Sequence, residues 1–142
     1  MRKIALDLGT KTCGFAITDS SAIIATSLET IRFDENNFNI VIEKIKEFLL
    51  KYEDTDSIIV GYPLRSNGAK SERTIMVEEF ALSIKSIFNQ NIFLVNEYGT
   101  TIKAEKTLKS AKISIKKRKE IKDSLSAVII LQEFLDYGGK RL

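Results

Sequence analysis

Near its start the chain reads KIALDLGTK over residues 3–11, and TCGFAIT follows over residues 12–18. Each stretch has the length and apolar content of a strand, and the glycine-containing turn between them is typical of a β-hairpin. Asp7 stands out because it interrupts an apolar strand, where an ionised carboxylate is costly to bury without a positive partner. Its close neighbours in sequence offer only Lys11. The hairpin therefore predicts the first two strands of a sheet and a carboxylate with a function.

Downstream of a third apolar segment, residues 22–33, helical and strand patterns alternate. Apolar spacing predicts helices over residues 36–52, 71–88, 101–109 and 115–137, and short apolar runs predict strands over residues 57–60 and 92–95. This order predicts an α/β fold with a mixed five-stranded sheet, in which an antiparallel three-strand meander adjoins parallel strands and helices cover both faces. Because no composition shift marks a boundary, we expect one domain over residues 1–142.

The composition of the chain limits both the class of protein and the catalytic groups it can use. With 44% hydrophobic and 29% charged residues the chain resembles an ordinary folded protein, and it has no apolar stretch near the ~20 residues that span a bilayer. We therefore expect a cytoplasmic protein without a membrane partner, because the N-terminus also lacks a signal-peptide core. The absence of histidine excludes imidazole catalysis and histidine-bound zinc, and a single cysteine, Cys13, excludes an internal disulfide.

Positive charge is concentrated in one segment. Between Lys103 and Lys122 there are nine Lys/Arg residues and two glutamates, whereas the rest of the chain has a small acidic excess. A basic segment beside carboxylates suits a polyanion that is bound through its phosphates. A solvated helix face explains the charge count equally well.

Two further carboxylates resemble Asp7 in their setting. Glu97 follows the apolar run of residues 92–95, and Asp123 lies one helical turn before the apolar run of residues 127–131. Three carboxylates at the ends of buried elements suggest a site for a hard cation such as Mg²⁺. Taken singly, each has a simpler interpretation as a turn, cap or helix-surface residue.

Several motifs resemble those of the YqgF-type family, the Holliday-junction-resolvase-like nucleases that process the precursor of 16S rRNA in bacteria. They are ALDLGTK (5–11), GFAITD (14–19), VGYPL (60–64), NEYGTT (96–101), KR (117–118) and KDSLSA (122–127), with Gly68, Gln132 and Leu135. The motifs occur in the order and spacing of the family over nearly the whole chain.

The resemblance implies an RNase H-like fold and a divalent-metal nuclease that uses Mg²⁺ or Mn²⁺. Its catalytic and metal-binding acids would be Asp7, Glu97 and Asp123, with water and the scissile phosphate completing the coordination. The implied substrate is an rRNA precursor, with branched DNA as the other possibility, and the expected state is a monomer or weak homodimer. The candidate nucleic-acid contacts are Thr10, Lys11, Arg65, Lys70, Arg73, Thr100, Thr101, Lys116, Lys117, Arg118 and Lys119.

The chain departs from the family at NEYGTT, where the usual motif has Asp-Glu-Arg. The glutamate is kept as Glu97, but Asn96 replaces an acid and Tyr98 replaces an arginine, which removes a bidentate phosphate donor. A non-catalytic RNA- or ribosome-binding module of the same fold is therefore the main alternative. An actin-like ATPase or sugar kinase, which shares the Asp-Leu-Gly-Thr opening, would need a second domain of this kind.

Overall fold

The computed structural model describes residues 1–64, 67–96 and 115–142, and over residues 115–124 it describes the helical backbone alone. The elements follow the order that the sequence predicts, with boundaries shifted by a few residues. They are β1 (Arg2–Leu8), β2 (Thr12–Thr18), β3 (Ala25–Arg32), α1 (Asn39–Lys51), β4 (Thr55–Tyr62), α2 (Glu72–Ile87), β5 (Asn91–Asn96), α3 (Ile115–Tyr137) and β6 (Lys140–Arg141). The helix predicted over residues 101–109 lies outside the described residues.

The strands form one mixed sheet in the order β3-β2-β1-β4-β5-β6. Strands β3, β2 and β1 make the predicted antiparallel meander, and β1, β4 and β5 run parallel to one another. The carboxyl ends of β1, β4 and β5 therefore meet at one edge of the sheet, where α/β sheets commonly bind ligands.

The sheet has six strands, so the prediction of five was wrong by one short element. Gly138 ends α3 in the left-handed region, with φ of 76°, and its N–H donates to the carbonyl of Phe134. The chain then returns along β5, where Leu94 pairs with Lys140 and Phe93 with Arg141. Two charged residues carry no strand pattern, which is why the sequence does not reveal this strand.

Helices cover both faces of the sheet, as predicted. On one face, alternate β1 residues such as Ile4 and Leu6 pack with Val41 of α1 and Val77 of α2. On the other face, Ala5 belongs to the core cluster that α3 completes with three buried residues, Ala127, Ile130 and Leu131. Because side chains alternate along a strand, Asp7 lies on the Ala5 face, the one that α3 covers.

Within the described residues, no helix combines the length and the apolarity needed to cross a membrane.

Candidate active site at the end of β1

Asp7 is the next-to-last residue of β1 and lies at the carboxyl edge of the parallel strands. Its side chain is 22% exposed, so the carboxylate is open to solvent although its strand neighbours Leu6 and Leu8 are fully buried. Across the hairpin Asp7 pairs with Gly14, and on the parallel side Gly61 follows Val60, the partner of Leu6. Neither flanking strand therefore places a side chain directly beside this carboxylate.

The partner of Asp7 comes from α2, far away in sequence. Arg73 donates from Nη2 to Asp7 Oδ1 at 2.9 Å, and its Nη2 and Nε donate to the carbonyl of Leu8 at 3.0 and 3.2 Å. In the described part of the chain, Arg73 is the one side chain that bonds to Asp7. The sequence names both residues as site candidates but does not reveal that they contact each other.

A capping box fixes the first turn of α2 and so positions Arg73. Ser71 Oγ accepts the N–H of Thr74 at 3.2 Å, and Thr74 Oγ1 accepts the N–H of Ser71 at 2.9 Å. Thr74 is fully buried, and its hydroxyl also donates to the carbonyl of Pro63, just after β4. The helix start is thereby tied to the same sheet edge at which Asp7 lies.

We expect Ser71→Ala to lower the free energy of unfolding by about 1 kcal/mol, because the N–H of Thr74 loses its acceptor. Urea denaturation of the two proteins measures the difference. Ser83→Ala, which changes an exposed serine in the interior of the same helix, is the matched control and should change stability little. Equal values for the two variants would contradict the proposed role of the capping box.

A cleft of about 850 Å³ lies between the hairpin turn, the segment before α1, and α2, and Arg73 forms part of its wall. Three of the candidate nucleic-acid contacts line it, namely Thr10, Lys11 and Arg73. The other lining residues are Gly9, Thr12, Glu35, Asn36, Phe38, Glu72, Met76 and Glu79. Backbone bonds from Asn36 to Thr10 (2.8 Å) and from Phe33 to Lys11 (2.9 Å) hold the hairpin turn against the loop before α1.

Lys70, another candidate contact, is placed differently. Its ammonium lies 3.1 Å from the Glu78 carboxylate, and this hydrogen-bonded pair raises the pKa of Lys70. More than half of the Lys70 side chain is exposed, so the charge remains accessible to a ligand at the surface.

The charges of Asp7 and Arg73 act on the Cys13 thiol, but Cys13 is not part of the candidate site. Burial above all, and then the Asp7 carboxylate, raises the pKa of Cys13 well above its usual range, although Arg73 opposes the shift. The side chain belongs to the core between the sheet and α1 and α2. A buried, protonated thiol is neither a metal ligand nor a nucleophile.

The remaining site candidates cannot be located in the same way. Glu97 directly follows Asn96 in sequence but, with Arg65, Thr100 and Thr101, lies outside the described residues. The backbone of Asp123 and of residues 116–119 belongs to α3, and their side chains lie outside the description. Among the described side chains, no three acidic, cysteine or histidine residues converge to hold a metal ion.

Known structures share this fold at low sequence identity. The RuvC protein of Thermus thermophilus, solved with a Holliday junction substrate, matches with a TM-score of 0.61 and 12% identity, covering 100% of this chain and 99% of RuvC. The Fowlpox virus resolvase, solved with junction DNA, matches with a TM-score of 0.56 and 14% identity over 96% of this chain and 97% of its own. The architecture is thus that of the RNase H-like resolvases.

Sequence comparison gives the family. Residues 1–137 match the family model described as "RuvX: Holliday junction resolvase", and the chain belongs to this family of resolvase-like nucleases. A relative from Mycoplasmopsis pulmonis is 53% identical over 137 residues, covering 96% of this chain and 93% of the relative. One from a Geobacillus strain is 39% identical over 136 residues, covering 96% and 98%. Both relatives carry the name "Putative pre-16S rRNA nuclease".

Proposed function

We propose that this chain, as a single nuclease domain over residues 1–142, hydrolyses phosphodiester bonds in a precursor of 16S rRNA with the help of a divalent metal ion. The observation that carries the proposal is the Asp7 carboxylate, which is partly open to solvent at the carboxyl edge of three parallel strands and bonds to Arg73, a residue that lines a cleft together with Lys11. The RNA substrate is supported by the names of relatives that share up to 53% of their residues with this chain.

The chemistry of the donors fits Mg²⁺ or Mn²⁺. The proposed ligands Asp7, Glu97 and Asp123 supply carboxylate oxygens alone, which hard cations prefer, and the chain contains no histidine to favour softer metals. Helical spacing supports Asp123, because it lies four residues before Ala127 and seven before Ile130, both of which pack on the Asp7 face of the sheet. When bound, a divalent ion lowers the pKa of water and stabilises charge on the leaving oxygen.

The chain's own residues would hold and orient the RNA. Lys11 and Arg73 offer positive charge to the phosphate next to Asp7, and the Thr10 hydroxyl offers a hydrogen bond from the same turn. Lys70 and the basic start of α3 would follow the backbone. The proposed additional contacts are Arg65, Thr100, Thr101, Lys116, Lys117, Arg118 and Lys119.

Backbone contacts of this kind release counterions, so binding should weaken steeply as salt rises. Such a protein would act in the cytoplasm, where rRNA precursors are, as a monomer or weak homodimer.

The test compares two substrates under the same conditions. A 16S rRNA precursor and a four-way DNA junction of equal charge are each incubated with the protein in Mg²⁺, in Mn²⁺ and in EDTA. We expect metal-dependent cutting of the RNA at discrete positions, at least about tenfold faster than cutting of the junction, and none in EDTA. Preferential cutting of the junction would show that the protein is a nuclease whose substrate is branched DNA rather than the rRNA precursor. Cutting in EDTA would contradict the role of the metal.

A further inference from the structure

The ion pair between Arg73 and Asp7 connects the proposed metal site with the proposed phosphate site. The guanidinium donates hydrogen bonds to the last two residues of β1, to the Asp7 carboxylate and to the Leu8 carbonyl. It also lines the cleft that adjoins the hairpin turn. A single side chain therefore touches the candidate metal ligand and faces the space where a nucleic-acid backbone would lie.

The ion pair between Arg73 and Asp7 can separate at a small cost in free energy. The side chains of Arg73 and Asp7 are 42% and 22% exposed, and exposed ion pairs contribute little to stability because water competes for both charges. Asp7 Oδ1, the oxygen that Arg73 occupies, is one of the two oxygens that Asp7 offers a cation. The guanidinium makes one contact to the ionised Asp7 and two to the neutral Leu8 carbonyl, whereas an ionised phosphate would accept two parallel charge-assisted bonds from it.

We propose that Arg73 exchanges partners during the reaction. Without a metal ion it holds the Asp7 carboxylate in place, and when an ion binds to Asp7 it moves to the scissile phosphate. Arg73 is thus a positioning residue that competes with the metal and recruits the substrate. This inference rests on the proposed function, since it assumes a divalent ion at Asp7.

If Arg73 exchanges partners, Arg73→Ala should have opposite effects on metal affinity and on RNA cleavage. Metal binding should become tighter, by about tenfold in Kd, because a positive charge that repels the ion and occupies its ligand is gone. RNA cleavage at saturating metal should become slower, by about 100-fold in kcat/KM, because the phosphate loses its guanidinium. A purely structural role would instead weaken both, because Asp7 would lose its orientation.

Isothermal titration of Mn²⁺ into the RNA-free protein measures the first effect, and cleavage of the rRNA precursor at saturating Mn²⁺ measures the second. Arg73→Lys keeps the charge but not the planar fork, so its Mn²⁺ affinity should stay within about threefold of the original while its cleavage falls. Lys85→Ala removes one positive charge from the other end of α2, where the side chain is exposed, and should change neither value by more than about twofold.

Two results would overturn the exchange. They are Mn²⁺ affinity in Arg73→Ala that is unchanged or weaker, and cleavage that is unchanged. Circular dichroism must show that the thermal midpoint of Arg73→Ala lies within a few degrees of that of the original protein. If it does not, Arg73→Gln replaces Arg73→Ala in both measurements. The failure of the proposed function itself has a different signature, because the original protein would then show no Mn²⁺-dependent cleavage, and Asp7→Asn would bind Mn²⁺ and RNA as the original protein does.

Discussion

Asp7→Asn should reduce RNA cleavage by at least about 100-fold while the protein stays folded, an effect comparable to removing one group that stabilises transition-state charge. The amide keeps the size of the side chain and one oxygen, but it loses the negative charge that would hold a divalent ion. Stability should change by less than about 1 kcal/mol, because the pair with Arg73 is partly exposed and Arg73 keeps its bonds to the Leu8 carbonyl.

The measurement pairs single-turnover cleavage with urea denaturation on the same preparations. Asp54→Asn is the matched control, because it also removes a carboxylate paired with an arginine, Arg2. That pair lies at the start of β1, at the opposite end of the strand from Asp7, so cleavage should remain within about twofold. If both variants lost activity equally, general electrostatics rather than a site at Asp7 would explain the loss.

Ile130→Ala should lower the free energy of unfolding by about 2–5 kcal/mol, the usual range for such a truncation in a packed core. Ile130 is fully buried in the cluster that joins α3 to the sheet on the Asp7 face. The cavity left by its side chain would loosen the helix that carries Asp123, and we expect cleavage to fall together with stability.

Urea denaturation measures the loss, with Tyr137→Ala as the control near the end of the same helix. Tyr137 is 82% exposed, so removal of its side chain should cost less than about 0.5 kcal/mol. A loss below about 1 kcal/mol for Ile130→Ala would contradict the packing of α3 against this face.

The architecture was largely predictable because local patterns determine it. The hairpin is confirmed, with β2 bounded by Thr12 and Thr18 as predicted, and α3 has its predicted limits, Ile115 and Tyr137. β2 and the second half of α3 have apolar patterns that no tertiary contact needs to override. Strand β6 was missed because its two charged residues are held by pairing with β5 rather than by any preference of their own.

The candidate site was less accessible to sequence reasoning. The position of Asp7 at the end of a strand follows from the local pattern, but its partner Arg73 is separated from it by 66 positions, and only the folded arrangement of β1 and α2 brings them together. Gly14 and Gly61 stand in motifs noted in the sequence, but the sequence does not show that they flank Asp7 in the sheet. A glycine within a strand pattern is the one local signal that marks such a place. The catalytic and metal-binding roles of Asp7, Glu97 and Asp123 all stay predictions.

The most direct test of the account is restoration of cleavage by metal. The protein is freed of metal with EDTA, incubated with the rRNA precursor, and then supplied with Mg²⁺ in excess over the chelator, alongside the Asp7→Asn protein. The account predicts that Mg²⁺ restores cutting at discrete positions in the original protein and not in the variant. Salt-sensitive RNA binding without cutting, equal in both proteins, would contradict it and would identify the chain as a binding module.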